Sequence, residues 1–248
     1  MLKKERQGHL LHQLNLHNKV LVADLCNSME VSEDTIRRDL QELADAGKLI
    51  KIHGGALSLS FHASIEQTAI YSRPEKRRSA GKALEYIKPG MFVLTSGGTT
   101  VNEMARILPR DLKATFLTPS LTSMIEYVRH PLVEAIFVGS KVSKESMISV
   151  GADTIEQIRN IRADLCILGV NAIDPEYGIT DNDWEVVQVK KAMIEASSKL
   201  IALTIAEKIN TSYPIKVCGT EDIDILITDA DPSDPVLERF KKAGVKVV

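Results

Sequence analysis

Residues 31–56 read VSEDTIRRDLQELADAGKLIKIHGGA, and the periodicity of this stretch decides the N-terminal fold. Ser32 stands where an N-cap is wanted, and Glu33 and Asp34 follow in the first turn, where the helix dipole favours acids. Ile36, Leu40, Leu43 and Ala44 recur at i, i+4, i+7 and i+8, which makes one apolar stripe. Asp34, Thr35, Arg38 and Gln41 then fall on the far face, with Arg37 beside the stripe. Gly47 is placed to stop the helix, because glycine enters the left-handed conformation at little cost. Leu49-Ile50-Lys51-Ile52 reads as a short strand and His53-Gly54-Gly55 as a turn. A helix with two outward arginines followed by a basic hairpin suits a major-groove reader with a wing. The competing reading is an amphipathic helix whose arginines only solvate a surface.

The residues before it decide between the two. Val22, Leu25, Cys26 and Met29 form a shorter apolar stripe, and Glu30-Val31 leaves just enough chain for a tight turn, so the arrangement is helix-turn-helix. Residues 4–16 add a first helix that packs through Leu10, Leu11 and Leu14, with Asn15 to Asn18 as the following turn. Residues 3–58 resemble the DNA-binding domain of the DeoR family of bacterial transcriptional regulators. The resemblance rests on Val31-Ser32, Thr35-Ile36-Arg37-Arg38-Asp39-Leu40, Leu43, Gly47 and His53-Gly54-Gly55-Ala56. With it, duplex-DNA contact is expected from Ser32, Asp34, Thr35, Arg37, Arg38 and Gln41 on the helix. Lys48, Lys51, His53 and Gly54 are expected to add contacts from the wing, with Lys51 and His53 touching the DNA backbone.

The 248-residue chain is 44% hydrophobic, enough for one or two domains with cores of their own. No apolar run reaches the ~18 residues of a membrane span, and MLKKERQGHLL at the start lacks the apolar region of a signal peptide. A cytoplasmic protein is the expectation. Cys26, Cys166 and Cys218 are isolated among apolar neighbours without metal-type spacing, so three buried thiols in a reducing compartment are expected. Net charge is −2, and residues 1–56 hold eight Lys/Arg and eight Asp/Glu. DNA affinity must therefore come from charge distribution, with Lys3, Lys4, Arg6, Arg37, Arg38, Lys48 and Lys51 sharing one side.

Beyond the wing, residues 57–74 lose helical periodicity. The predicted organisation is a winged helix-turn-helix domain over 1–58, a connector over 59–74 and an α/β effector-sensing and oligomerisation domain over 75–248. Glu75 to Ile87 reads as a helix with Lys76, Arg77, Arg78 and Lys82 exposed, either solvated or contacting phosphate. From Met91 strands and helices alternate. Strands are predicted at Met91–Thr95, Ala114–Thr118, Val133–Val138, Asp164–Val170, Lys199–Thr204, Ile215–Cys218, Ile223–Thr228 and Val245–Val248. Helices are predicted near 99–108, 120–129, 152–160, 184–197 and 233–243. Short apolar strands without alternation imply a mostly parallel sheet covered by helices on both faces.

In such sheets ligands bind beyond the carboxyl ends of strands. Ser96-Gly97-Gly98-Thr99-Thr100 joins a strand to a helix N-terminus, and is either an anion cradle or a tight turn. It is neither a dinucleotide fingerprint nor a P-loop. Thr118-Pro119-Ser120, Gly139-Ser140-Lys141, Asn171 in the loop after Gly169, and Lys208 stand at neighbouring strand ends. The expected effector site is thus Ser96, Gly97, Gly98, Thr99, Thr100, Thr118, Ser120, Gly139, Lys141, Asn171 and Lys208, with no metal, cofactor or catalytic residue.

Residues 75–248 also resemble the sensor half of the DeoR family, which is similar in fold to ribose-5-phosphate isomerases. The matching segments are Gly98-Thr99-Thr100, Gly151, Gly169 with Ile173-Asp174, Gly178-Ile179-Thr180, Val189-Lys190-Lys191-Ala192-Met193-Ile194, and Lys208. The resemblance implies a phosphorylated sugar or similar anionic metabolite that alters operator affinity. Four positions depart from the family pattern: Ser96 and Ile205 stand where Asp is usual, Pro119 where Asn is usual, and Ser140 where a Gly is usual. The loss of two carboxylates makes the pocket less acidic and removes acceptors for sugar hydroxyls.

A DNA-binding regulator of carbohydrate or related metabolism, most often a repressor in this family, is the leading expectation. Its partners would be operator DNA, a small anionic effector and a second copy of the chain, as a homodimer or homotetramer. The alternatives are a DNA-binding protein whose C-terminal half only oligomerises, and a sugar-phosphate isomerase. The last needs a general base, and only Asp174, Asp181, Asp183 and Glu185 offer one.

Overall fold

The computed structural model describes residues 1–17, 19–59 and 71–248, which fall into two compact units, Met1–Tyr71 and Ser72–Val248. The N-terminal unit runs α1 (Lys3–His17), β1 (Lys19–Leu21), α2 (Val22–Met29), α3 (Glu33–Asp45), β2 (Leu49–Ile52) and β3 (Gly55–Ser58). Its core is Leu10, Leu14, Val22, Leu25, Met29, Ile36, Leu40, Leu43 and Leu49, with Leu11, Cys26 and Ala44 half-buried around it. The turn between the two central helices closes on Glu30, whose left-handed conformation ends α2 with an N–H bond to the Cys26 carbonyl. Gly47 is also left-handed, at φ 65°, just beyond α3.

The wing is a three-stranded antiparallel sheet in the order β1-β3-β2. Its third strand, Lys19–Leu21, is too short to show a pattern of its own and was not foreseen. Gly55 explains the close pairing, since a Cβ there would fall 2.0 Å from the Val20 carbonyl oxygen. Three expectations need correction here. Asn15 to His17 belong to α1 rather than to a turn, with the Asn15 amide oxygen accepting from Ser58 Oγ at 2.7 Å. Asn18 and residues 60–70 of the expected connector lie outside the described residues, while Leu57 and Ser58 complete β3 and Arg73 opens a helix. Cys26 is only half-buried; Cys166 and Cys218 are buried and free.

The second unit begins with α4 (Arg73–Ala83). A seven-stranded parallel sheet follows, built from β4 (Phe92–Thr95), β5 (Thr115–Thr118), β6 (Glu134–Phe137), β9 (Leu165–Gly169), β12 (Leu200–Leu203), β14 (Ile225–Ile227) and β15 (Lys246–Val247). The strand order is β15-β14-β12-β9-β4-β5-β6. Alternate residues of each strand enter different cores. Val93, Phe116, Leu165, Ile167, Ile201 and Leu203 pack on one face with α4, α5 (Thr99–Arg106) and α6 (Leu121–Val128). Leu94, Leu117, Cys166, Leu168, Ala202 and Leu226 pack on the other with α7 (Ala152–Arg159), α8 (Trp184–Glu195) and α9 (Pro235–Lys242). Burial on both faces is why these strands are apolar without alternation.

Two smaller pieces stand apart from this sheet. The hairpin β7 (Lys141–Ser143) and β8 (Ile148–Val150) is one; β10 (Ala172–Asp174), β11 (Gly178–Asp181) and β13 (Ile215–Cys218) form the other, a three-stranded antiparallel sheet. Ile215–Cys218 was expected beside the parallel strands, yet it pairs with β11. Its apolar run is buried against α8 rather than inside the main sheet, a difference that composition does not reveal.

The strand order sets where the sheet changes direction. From β4 the chain moves outward to β5 and β6, returns to β9 on the other side of β4, and moves outward again through β12 and β14. The adjacent strands β4 and β9 thus send their chains to opposite faces. This is a topological switch point, where the carboxyl ends of an open α/β sheet leave room for a ligand.

Candidate functional site

On the N-terminal unit, α3 presents Asp34, Arg37, Arg38 and Gln41 to solvent, with Thr35 half-buried. Ser32 occupies the N-cap position, but its hydroxyl pairs with that of Thr35 at 3.0 Å rather than with a backbone N–H. Arg37 bonds Glu33 on its own helix at 2.9 Å, and both side chains are more than half exposed. Such a pair is worth about 0.3–0.5 kcal/mol, so it holds Arg37 only weakly. Arg38 holds no hydrogen bond or ion pair among the described residues. Lys51 reaches from β2 to the Gln41 side-chain oxygen at 2.7 Å, and Gln41 donates to Asp45 at 2.7 Å. That chain fixes the wing against α3. Lys48 and His53 are exposed, and Gly54 turns the hairpin at φ 75°.

Arg6 is not part of the exposed basic face. Its guanidinium is drawn inward to Asp39, which is 2% exposed and also receives Gln7 at 3.3 Å. Asp39 therefore anchors α1 to α3, a role the sequence reading missed although Asp39 lies on the buried stripe three residues after Ile36. Lys3 and Gln7 bond Glu42 at 2.7 and 3.0 Å, so Glu42 is neutralised on the same helix.

In the second unit, the turn after β4 closes on β9. The Ser96 N–H donates to the Ile167 carbonyl at 3.1 Å, and the Gly169 N–H donates to Ser96 Oγ at 2.8 Å. A Cβ on Gly169 would lie 2.5 Å from the Gly97 carbonyl oxygen, so the two strand ends meet glycine to glycine. Ser96, buried at 1% exposure, thus acts as a fastener across the switch point. Gly98 caps α5 at φ 120°, a conformation that L side chains avoid, and the space where a Cβ would stand is open. Thr99 and Thr100 are buried in the first turn of α5.

The hydroxyls of the next loops serve the fold. Thr118 Oγ1 accepts from the Ser120 N–H at 3.1 Å, and Ser120 caps α6 through the Ser123 N–H at 3.3 Å. Gly139, at φ 145°, leaves room for Ser149, whose hydroxyl takes the Ser140 N–H at 2.7 Å. Lys141 lies on β7, exposed and paired with Glu185 at 3.3 Å. Asn171 donates to both Asp181 oxygens, at 3.3 and 3.2 Å.

Behind this rim lies a group of buried charges. Lys208, in the turn after β12, is 6% exposed, and its ammonium donates to the Val170 carbonyl at 3.2 Å. Lys190, from α8, is 4% exposed; it pairs with Asp181 at 2.7 Å and reaches the Gly169 carbonyl at 3.3 Å. Lys76, from α4, is 2% exposed. The expectation that Lys76 faces water is overturned: it shares the inward stripe of α4 with Ser79, Ala80 and Ala83. Arg77 and Arg78 do face solvent, and Lys82 is half-buried, donating to the Thr228 carbonyl at 2.7 Å.

These environments shift the protonation of the group. Burial, then repulsion from Lys76 and Lys190, brings Lys208 down to about 7, against the pull of Asp181 and Glu207. Burial likewise brings Lys76 down to about 8, opposed by Glu207, Glu103 and Glu75. Burial also works against the Asp181 carboxylate, but Lys190, the Asn182 N–H and Asn171 together outweigh it and hold its pKa below the ordinary value. The result is a pair of buried lysines, Lys190 and Lys208, at the switch point, near the N-terminus of α5. Phosphate suits that combination.

The comparisons with known proteins agree with both halves. Residues 6–61 match the DeoR-like helix-turn-helix domain, and residues 72–230 match the DeoR C-terminal sensor domain. The HTH-type transcriptional regulator GolR of Listeria innocua is 29% identical over 100% of this chain and 98% of its own. The glycerol-3-phosphate regulon repressor of Escherichia coli K12 is 26% identical over 96% of this chain and 95% of its own. A solved ribose 5-phosphate isomerase A from Methanocaldococcus jannaschii superposes at a TM-score of 0.40 and 13% identity, over 54% of this chain and 53% of that one. A likeness of that size says nothing of the site.

Proposed function

The chain belongs to the DeoR family of DNA-binding transcriptional regulators, and from that premise we propose that it represses genes of carbohydrate or related metabolism under control of a phosphorylated effector. The observation that carries the effector reading is Lys208, buried at the switch point on the Val170 carbonyl with no carboxylate partner among the described residues. A buried ammonium costs several kcal/mol unless something compensates it, and a phosphate would supply that compensation. The name of the glycerol-3-phosphate regulon repressor supports an ester of this kind.

DNA is read by Arg38 and Arg37, with Lys48, Lys51 and His53 on the backbone. Two copies of the chain pair to place two half-sites about 10 bp apart or a multiple of that. An isomerase role is disfavoured by the four candidate acids, each of which is already engaged. Asp181 is locked to Lys190, and Asp174 accepts the Glu176 and Tyr177 N–H groups at 2.7 and 3.1 Å. Asp183 caps α8 through the Val186 N–H at 3.2 Å, and Glu185 pairs with Lys141. Three of the four are committed to structural bonds, which leaves Glu185, in an exposed pair, as the one acid that could serve as the general base proton abstraction needs.

Footprinting of the DNA flanking the gene, with a panel of sugars in phosphorylated and unphosphorylated form, tests the whole reading. Paired protected half-sites that phosphorylated compounds alone weaken or strengthen are expected. Protection indifferent to every compound would favour a C-terminal half that only oligomerises.

A further inference from the structure

Helix α6 is built inside out. The residues it buries are Thr122, Ser123, Glu126 and Tyr127. Glu126 takes Arg106 at 2.8 Å, Ser123 donates to the Asn102 side-chain oxygen at 2.8 Å, and Tyr127 stacks on Phe116 with ring centroids 4.5 Å apart. On the other side Leu121, Met124, Ile125 and Val128 recur at i, i+3, i+4 and i+7, the spacing of a stripe meant for a core. Yet Leu121 and Met124 are only half-buried, while Ile125 and Val128 are 37% and 65% exposed. Leu132, just beyond the helix, is 45% exposed. The helix packs on β5 and β6, the last two strands at that end of the sheet. Singly exposed apolar residues are ordinary, but a whole helical stripe of them is not. A helix that buries its carboxylate and shows water its valine is folded for a face that the single chain does not supply.

Two features of the stripe say what covers it. Its spacing reads the same from either end. A second α6 laid antiparallel therefore sets Leu121 against Val128 and Met124 against Ile125, each contact occurring twice, as a twofold interface requires. The flanking charges match in the same arrangement. Lys144 and Glu145 stand by the N-terminal end, in the turn whose Met147 carbonyl accepts the Leu121 N–H at 3.0 Å. Arg129 and Glu134 flank Leu132 at the other end, and all four are exposed. Antiparallel packing brings the end with Glu145 to the end with Arg129, and the end with Lys144 to the end with Glu134.

We infer that this face is a self-association surface, on which the α6 stripe packs antiparallel against the same stripe of a second copy about a twofold axis. The inference rests on the proposed function only in taking a second copy as the partner, which paired half-sites need.

Sedimentation velocity of the full-length protein at micromolar concentration is the test, with circular dichroism to check folding. Wild type, Val128→Glu, Leu121→Lys and an equal mixture of the two variants are compared. Wild type is expected to sediment as a dimer or higher assembly. Each variant alone is expected to halve that mass, with a dissociation constant raised roughly thirtyfold or more. Mixing restores the wild-type mass, because the lysine of one copy meets the glutamate of the other while Leu121 and Val128 still pair at the symmetric contact. Should Leu121→Lys not fold, Ile125→Glu takes its place and halves the mass as Val128→Glu does. A wild-type assembly untouched by the α6 variants overturns the inference and leaves the pairing of copies standing. Variants that dissociate but do not recombine overturn the antiparallel arrangement. A wild-type monomer removes both the surface and the paired half-sites.

Discussion

The two units treat positive charge in opposite ways. In the DNA-binding unit Arg37, Arg38, Lys48 and Lys51 stay in water. Its buried ionic contact, Arg6 with Asp39, is balanced one to one. In the sensor unit Lys190 and Lys208 are withdrawn from water near Asp181, and Lys76 is buried on α4. The contrast follows from the partners. DNA is a polyanion met at a surface, where exposed cations release counterions and cost the fold nothing. A single small anion must be held against competition from water, and only a desolvated site makes its charge count. On the function proposed, the first unit is built for stability and the second sacrifices some of it for a ligand.

Substitutions in the buried cluster should have the largest effects. Asp181→Asn keeps the shape but leaves Lys190 buried without its carboxylate, and is expected to destabilise the sensor unit by about 3–5 kcal/mol, measured by urea unfolding. A loss below 1 kcal/mol would mean that water already reaches Lys190. Lys208→Met should act in the opposite direction, stabilising the ligand-free protein by roughly 1–4 kcal/mol while weakening phosphate-ester binding.

The pH dependence of that stabilisation sharpens the contrast. Lys208 is brought down to about 7 in the folded chain, below the ~10.4 of an unfolded lysine. Between those values the unfolded state binds more protons, so the contribution of Lys208 to stability rises with pH from about 7 to about 10. Unfolding midpoints of wild type across pH 6–10 should climb relative to those of Lys208→Met. Parallel curves would show that Lys208 is solvated.

Effects on the DNA-binding unit are expected to be smaller and to leave stability untouched. Arg38→Ala should cost about 1–3 kcal/mol of operator affinity and relax one base pair, read by competition against single-base operator variants. Lys51→Ala should weaken all sequences alike and lower the slope of log affinity against log salt by roughly 1. Because Lys51 also holds Gln41, a loss of specificity in Lys51→Ala would show that it positions the helix rather than the backbone.

The same contrast explains what could be read from the chain. Ile36, Leu40 and Leu43 show the α3 face, and TIRRDL with HGGA the family, because exposed function and buried core separate cleanly along a helix. Strands β4, β5, β9 and β12 were legible as continuous apolar runs. Strands β1, β7, β10 and β11 were not, because they lack a continuous apolar run and pair through tertiary context rather than pattern. Lys76 was placed in water because lysine normally belongs there. Its spacing from Ser79, Ala80 and Ala83, like that of Lys190 from Val186, Val187 and Met193, was the available signal: a cation on an apolar stripe. Ser96, where the family usually has Asp, was read as a missing acid in the pocket; it is instead a hydroxyl that accepts the Gly169 N–H across the switch point.

Whether the buried lysines hold an anion is decided by calorimetry of the full-length protein with glycerol 3-phosphate and glucose 6-phosphate. The titrations are run at pH 8 in two buffers of different ionisation heat, with glycerol and glucose as controls. An anion beside Lys208 raises its pKa from about 7, so at least one phosphate ester is expected to bind with net proton uptake while the neutral sugars do not bind. Equal binding of phosphorylated and neutral compounds, or phosphate-ester binding without proton uptake, would contradict the account.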